Sequence, residues 1–198
     1  MKKKVQNIIC GLIILIGIVL IAFPMYLTIV TAFKTGKETA QNFFGLPQTF
    51  YLGNFKEVIQ NNDFLVYVSN SVLITVCSLL LILVVVPLVS YAITRNMEKF
   101  YYKSIYLMFS LGIFIPFQVI MLPVVKQMTN LSLLNKYGLI VLYVTYALAQ
   151  GVFLYVGYIK NNMPPELEEA AYIDGASKTK TYVLIVFPML KPMTATII

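Results

Sequence analysis

The sequence contains no histidine and only two cysteines, and charged side chains make up only 12% of its 198 residues. Without histidine, the chain cannot form a Ser–His–Asp triad, a Cys–His pair or the common zinc sites. Cys10 and Cys77 both lie within apolar runs, where neither a disulfide framework nor a redox centre has support. We therefore expect a chain that is not an enzyme and that carries no metal or cofactor.

Asp, Glu, Lys, Arg and His are absent from five runs, which cover residues 5–33, 64–94, 104–125, 137–159 and 181–190. Proton- and ion-coupled carriers usually keep such side chains at membrane depth, where they serve function. A nucleotide-binding motif is missing as well, because the segment Thr35-Gly36-Lys37-Glu38 lacks the upstream glycine and the Ser or Thr after lysine. If the chain takes part in transport, we expect another subunit to supply the energy.

Apolar residues make up 59% of the chain, and its mean hydropathy is +0.81. Soluble domains contain about 45–50% apolar residues. Four of the charge-free runs exceed the roughly 20 residues that a helix needs to cross a bilayer. We predict an all-α integral membrane protein, with one transmembrane domain over residues 1–198. Its complete spans are predicted at about 8–33, 66–94, 104–125 and 137–159, with the start of a fifth at 183–198.

Basic residues are distributed unequally between the predicted loops. A cytoplasmic N-terminus makes residues 34–65 an external loop and residues 160–182 a cytoplasmic loop. Nine Lys or Arg residues then lie inside and five outside, which follows the positive-inside rule. The inside set is Lys2, Lys3, Lys4, Arg95, Lys99, Lys103, Lys160, Lys178 and Lys180, and the outside set is Lys34, Lys37, Lys56, Lys126 and Lys136. We expect a multi-pass protein of the cell membrane, surrounded by lipid and without a nucleic-acid partner.

The predicted cytoplasmic loop concentrates negative charge. Four of the chain's eight acidic residues lie within it: Glu166, Glu168, Glu169 and Asp174. Pro164 and Pro165 are typical of the first turn of a new helix, whose positive end the glutamates complement. Gly175 can adopt the left-handed conformation that ends a helix, and Ser177 is a natural N-cap for the next one. The pattern predicts a helix, a sharp turn and a second helix.

The faces of the first loop helix indicate a partner. Leu167, Ala170, Ala171 and Asp174 share one face by i, i+3, i+4, i+7 spacing, and the small alanines allow close approach of another backbone. A neighbouring edge is formed by Glu166, Glu169 and Ile173. An amphipathic helix lying on lipid headgroups is the alternative. Acids facing an anionic leaflet disfavour that alternative, so we expect a protein partner.

Uncharged polar residues within the spans are candidates for a translocation pathway. They are Gln118, Gln150 and Asn70. Neutral amides suit a hydroxylated solute, although interhelical hydrogen bonding is the alternative role for such residues. Pro116 and Pro123 flank Gln118 and make the third predicted span the most irregular. Small residues such as Ala147 and Gly151 are expected to allow close helix approach.

The loop resembles a known signature. Glu169-Ala170-Ala171, three residues, Gly175, nine residues and Ile185-Val186-Phe187-Pro188 are similar to the EAA loop of ABC-importer permeases, E-A-A-x3-G-x9-I-x-L-P. Phe187 in place of leucine is the one departure from that pattern. The wider chain resembles the smaller, MalG-like permease subunit of maltose-type sugar importers. The segments that carry this wider resemblance are Asn54-Phe55, Asn70-Ser71, Tyr91-Ala92 with Arg95, and Pro116 through Pro123.

The resemblance implies a fold, a function and a set of partners. The fold would be that of ABC type I importer permeases, and the function would be sugar or oligosaccharide import driven by a dimer of ATPase subunits. A second, larger permease subunit and an extracytoplasmic solute-binding protein would complete the importer. The 160–182 loop would carry the coupling helix, with Glu169 contacting the ATPase and Gly175 making the turn. The implied coupling residues are Glu166, Glu169, Ala170, Ala171, Asp174, Gly175 and Pro188.

The resemblance also leaves alternatives open. Permeases of this family carry six spans, whereas this chain stops about where the fifth begins, so we expect a fragment or a truncated product. The same machinery serves other solutes, such as a glycerol phosphate. A membrane scaffold that binds a cytoplasmic protein through the acidic loop, without transport, is a rival from another class.

Overall fold

The computed structural model describes residues 2–61 and 63–197, and every regular element within them is helical. The all-α prediction is therefore confirmed for that part of the chain. The chain forms two compact units, residues 1–68 and residues 69–198.

The first unit contains α1 (Lys2–Ala32), α2 (Gly36–Gln41) and α3 (Gly53–Asn61). Lys34 follows α1 and is buried, with 1% of its surface exposed. Its Nζ donates to the carbonyl oxygens of Asn42 at 2.5 Å and Gly45 at 2.6 Å. The Asn54 amide donates to the carbonyls of Ala32 at 2.9 Å and Lys34 at 2.8 Å. These side chains replace regular backbone pairing in a segment whose carbonyls would otherwise lack donors.

The helix α4 (Phe64–Arg95) begins in the first unit, and the second unit continues with α5 (Phe100–Gly112), α6 (Phe117–Asn130) and α7 (Lys136–Asn162). The core of the second unit lies where α4, α7 and the C-terminal segment meet. Its fully buried residues include Val86, Val152, Val156, Val186 and Leu190. Gly151 on α7 packs against Val86 on α4, which confirms the predicted close approach at this glycine.

Among the described residues, three helices are long and apolar enough to cross a membrane: Gln6–Ala32, Phe64–Arg95 and Lys136–Asn162. The third predicted span, 104–125, is not one straight helix, because α5 and α6 meet at an angle of 110°. Pro116 is the N-cap of α6 and has an extended backbone, with φ −63° and ψ 139°. Proline disfavours helical geometry in the residue before it, so α5 ends before this position. Counting the bent pair as one span gives four.

The segment predicted as the start of a fifth span is also broken. After α8 (Glu166–Ile173) and α9 (Lys178–Thr181), the chain forms a π-helical turn over Tyr182–Val186. It continues as α10 (Phe187–Met189) and α11 (Lys191–Ile197), and residue 198 of the predicted span lies outside the described residues. Pro188 lacks a backbone N–H and cannot donate to the carbonyl four residues earlier, so the regular α-helical ladder is interrupted here.

Candidate coupling site

The acidic loop folds as two short helices joined by a tight turn. The first turn of α8 carries Glu166, Glu168 and Glu169, with Pro165 at its N-cap. The N-terminal end of a helix has unpaired N–H groups and a positive partial charge, which these carboxylates complement. The second helix, α9, carries Lys178 and Lys180. The loop therefore presents acids on one helix and bases on the next.

The turn between the two helices has the geometry of a Schellman motif. Gly175 has φ +81°, in the left-handed region, and its N–H donates to the carbonyl of Tyr172 at 3.0 Å. The N–H of Ala176 donates to the carbonyl of Ala171 at 2.9 Å, so the turn pairs two carbonyls near the end of α8. The Ser177 side chain accepts a hydrogen bond from the N–H of Lys180 and caps α9. The predicted helix, turn and helix are confirmed.

Glu168 points into the protein, which sequence reasoning missed. It is 6% exposed, whereas Glu166 and Glu169 are exposed. Its Oε1 accepts a hydrogen bond from Arg95 Nε and forms an ion pair with that guanidinium, and its Oε2 accepts a hydrogen bond from the Tyr91 hydroxyl at 2.6 Å. Arg95 is the chain's only arginine and ends an apolar run, so a carboxylate partner for it could have been anticipated. The sequence does not indicate which of the three neighbouring glutamates would be that partner.

The opposite side of α8 faces outward. Glu166, Glu169 and Ala170 are exposed, and Ile173 is 86% exposed. This exposed isoleucine lies beside two carboxylates and outside the long apolar helices. It gives the loop a mixed apolar and acidic surface. We call Glu166, Glu169, Ala170 and Ile173 the outer face of α8. Because buried apolar anchors rimmed by charge are typical of protein interfaces, this surface has the chemistry of a docking site.

The predicted face Leu167, Ala170, Ala171 and Asp174 also comes together. All four residues line an open cavity of about 400 Å³ between α8 and the helices that follow, together with Lys180 and Leu184. Ala171 is nevertheless buried against its own chain and only 7% exposed, so it is not part of the outer face. Pro188 is exposed in α10, beyond the π-helical turn.

The three residues predicted to line a translocation pathway do not lie around one common cavity. Gln150 lines a cavity of about 210 Å³ with Gly151, Thr196 and residues around them. Gln118 is exposed as the second residue of α6, and Asn70 is half-buried in the second turn of α4. Neither of them lines the cavity that contains Gln150. Within the ranges 2–61 and 63–197, no group of three or more His, Cys, Asp or Glu side chains is placed to hold a metal ion.

A family model described as "binding-protein-dependent transport system inner membrane component" matches residues 84–198. The match covers the end of α4, both loop helices and most of the core of the second unit. The chain belongs to this family. With its three long apolar helices, this membership makes it a multi-pass membrane protein.

Several curated relatives are similar over most of the chain. The multiple sugar-binding transport system permease protein MsmG of Streptococcus mutans is 44% identical over 98% of this chain and 70% of its own length. The probable starch degradation products transport system permease protein AmyC of Thermoanaerobacterium thermosulfurigenes is 36% identical, over 88% of this chain and 63% of its own length. The melibiose/raffinose/stachyose import permease protein MelC of Bacillus subtilis is 32% identical, with the same two coverages.

This chain therefore spans roughly two thirds of the length of the relatives it matches, from 63% to 70%. Their names describe transport permeases and not enzymes. No solved structure matches the chain.

Proposed function

We propose that the chain is a transmembrane permease subunit of an ATP-binding-cassette importer for sugars or oligosaccharides. In this function the chain performs no chemistry, and a dimer of partner ATPase subunits supplies the energy. The loop of residues 160–182 receives the ATPase through the outer face of α8, and movement of that helix drives alternating access of the spans. A second permease subunit and an extracytoplasmic solute-binding protein complete the importer.

The geometry of α8 is the observation that carries the proposal. The helix is held to its own chain on one side, through Glu168, and exposes Glu166, Glu169 and Ile173 on the other. Two outward carboxylates suit Arg or Lys of a partner, and Ile173 offers an apolar anchor. The Gly175 turn sets the direction in which the chain leaves the helix. Membership in a family of binding-protein-dependent transport components supports a transport partner for this surface.

Sugars are the proposed solute for two reasons. The three relatives named above are described as handling multiple sugars, starch degradation products and melibiose, raffinose or stachyose. The long apolar runs also carry no Asp, Glu, Lys, Arg or His, which suits a neutral solute better than a phosphorylated one. We propose Gln118, Gln150 and Asn70 as residues of the pathway, since neutral amides hydrogen-bond hydroxyl groups.

The proposed topology has four complete spans, counting the α5–α6 pair as one, and the start of a fifth. The N-terminus and the 160–182 loop lie in the cytoplasm, as the distribution of lysine and arginine favours. Single-cysteine labelling tests this in a variant whose Cys10 and Cys77 are replaced by serine. A membrane-impermeant maleimide should label Lys37→Cys in intact cells but label Ile173→Cys only after permeabilisation. The reverse pattern would contradict the topology and the ATPase contact together.

Co-purification tests the ATPase contact directly. The permease, expressed from its full gene with its partner subunits, is compared with Glu169→Lys and Gly175→Pro. Both variants should retain the membrane protein but lose most of the ATPase and of the sugar-stimulated ATP hydrolysis. Glu57→Lys, which reverses an exposed carboxylate on α3, is the matched control and should retain both. Full ATPase binding and hydrolysis in both loop variants would refute the proposal and favour a scaffold.

A further inference from the structure

We propose that Glu168 is a positioning residue that fixes α8 to the end of α4, so that displacement of α8 by a partner is transmitted to α4. This inference rests on the proposed function, because it requires a partner that moves α8. It assigns to the buried glutamate a role different from that of the exposed Glu166 and Glu169.

Both carboxylate oxygens of Glu168 are engaged by α4. The Nε atom of Arg95 donates to Oε1 at 2.7 Å, and the Tyr91 hydroxyl donates to Oε2 at 2.6 Å. The Nη2 atom of Arg95 lies 2.6 Å from Oε1 as the second contact of the ion pair. Tyr91 and Arg95 are four residues apart and share one face of the last turns of α4. The glutamate side chain is 8% exposed and the arginine side chain 19% exposed. Charge-assisted hydrogen bonds at these lengths are among the stronger contacts that side chains make.

The same arginine reaches a third element. Its Nη2 donates to the carbonyl of Met163 at 3.0 Å, and Met163 is the C-cap of α7. The Tyr91 ring also lies 5.2 Å from the ring of Tyr182 at the start of the π-helical turn. Tyr91, Arg95 and Glu168, which we call the clamp, therefore lie where the end of α4, the end of α7 and both flanks of the loop meet.

Few other side chains of α8 are buried. Of its eight residues, only Glu168 and Ala171 are buried. An alanine contributes a small apolar surface, so the polar contacts of Glu168 are the main directional attachment of this helix to α4. A short helix held in this way cannot rotate or slide without breaking the clamp or carrying the end of α4 with it. The helix α4 has Pro87 inside it, so a shift at Arg95 moves the stretch from Pro87 to Arg95, which contains Ile93 of the core.

A role in transmission differs from a role in stability, and coupling measurements separate the two. The transporter, assembled with its partners in vesicles, is assayed for bound ATPase, for ATP hydrolysis and for solute imported per ATP hydrolysed. Glu168→Gln removes the charge and keeps the size, Tyr91→Phe removes one hydrogen bond, and Arg95→Lys keeps a cation with poorer geometry. The matched control is Glu98→Gln, which neutralises an exposed carboxylate three residues after Arg95.

We expect Glu168→Gln to retain at least half of the bound ATPase and of the hydrolysis rate, with solute imported per ATP reduced about fivefold or more. For Tyr91→Phe and Arg95→Lys, the solute imported per ATP should lie between the value for Glu168→Gln and the wild-type value. For Glu98→Gln it should equal the wild-type value. If Glu168→Gln does not accumulate in the membrane, the two milder variants decide the question by the same ratio.

Two results would overturn the inference in different ways. If the clamp variants lower thermal stability or assembly while the imported solute per ATP stays at the wild-type value, the clamp only holds the fold together. If the wild type itself binds no ATPase or shows no solute-stimulated hydrolysis, the proposed function fails, and the transmission role fails with it.

Discussion

Gly151 on α7 approaches Val86 on α4 so closely that a Cβ on Gly151 would lie 2.6 Å from the Cγ1 of Val86. Both residues are buried, and Val86 belongs to the core of the second unit and has a branched side chain with little rotameric freedom. The contact sets the separation of two long apolar helices, next to the cavity that contains Gln150. Helices within a membrane commonly depend on such small residues for close packing.

The first prediction concerns this contact. Gly151→Ala should destabilise the protein by about 1–3 kcal/mol, since an added methyl in a packed core forces neighbouring groups apart. The measurement is the temperature at which half of the detergent-solubilised protein remains monodisperse. Gly157→Ala is the matched control on the same helix, because nothing lies within 4 Å of a Cβ at that position. If the two variants lose stability equally, close packing against Val86 is not the reason that glycine is required at position 151.

The second prediction concerns the turn after α8. Gly175 has φ +81°, and a Cβ added to it would meet no other atom within 4 Å, so substitutions act through backbone strain and not through crowding. Gly175→Val should cost about 1–2 kcal/mol or more of loop stability, because β-branched residues are rarely left-handed. Gly175→Asn should be tolerated better, since asparagine visits this region more readily.

Proteolysis of the 160–182 loop and co-purified ATPase are the two measurements for Gly175. The valine variant should be cut faster and should bind less ATPase than the asparagine variant. Equal behaviour of the two variants would show that the left-handed turn is not required.

The third prediction concerns the buried Lys34. Lys34→Met keeps the apolar stem but removes the donor that serves the carbonyls of Asn42 and Gly45. Buried acceptors left without a donor cost about 1–3 kcal/mol. We expect faster proteolysis between residues 36 and 52 in the variant. Lys37→Met is the control, because Lys37 is exposed and should be replaceable without this effect. Comparable cleavage in both variants would contradict a structural role for the lysine.

The fourth prediction concerns Ile173 on the outer face. Ile173→Asp should leave the permease as stable as the wild type, since the side chain is 86% exposed. The affinity of this variant for the ATPase should fall about tenfold or more, because one apolar anchor of the interface is lost. A tenfold change in affinity corresponds to about 1.4 kcal/mol. Surface-immobilised permease and purified ATPase provide the measurement.

Leu46→Asp is the control for Ile173. Leu46 is 69% exposed in the loop between α2 and α3, which the proposed topology places outside the cell. Unchanged affinity in the Ile173 variant would remove this residue from the interface.

Local sequence rules were sufficient for some features of this chain. Charge-free runs of apolar residues predicted helices, because only a helix pairs its own backbone groups in lipid. The turn at Gly175 and the cap at Ser177 depend on backbone conformation and on one nearby side chain, so both could be predicted. The break at Pro116 was indicated by its two prolines, but its angle of 110° was not, because that angle depends on what the two halves pack against.

Contacts between residues far apart in the sequence could not be predicted in this way. The sequence pattern predicts Lys34 to be an ordinary external charge, whereas it is buried and donates to carbonyls eight and eleven residues later. Nothing in the local pattern shows that a loop will fold over a lysine.

Composition, spacing and turn chemistry are local properties, so they were enough to predict a helical membrane protein whose acidic loop forms two short helices joined by a turn. Which glutamate of the loop turns inward depends on long-range packing. Glu166, Glu168 and Glu169 lie within one turn of a short helix, and the rotation of that helix about its own axis depends on what it docks against. Tyr91 and Arg95, more than 70 residues earlier, provide that contact for Glu168 and leave the other two exposed.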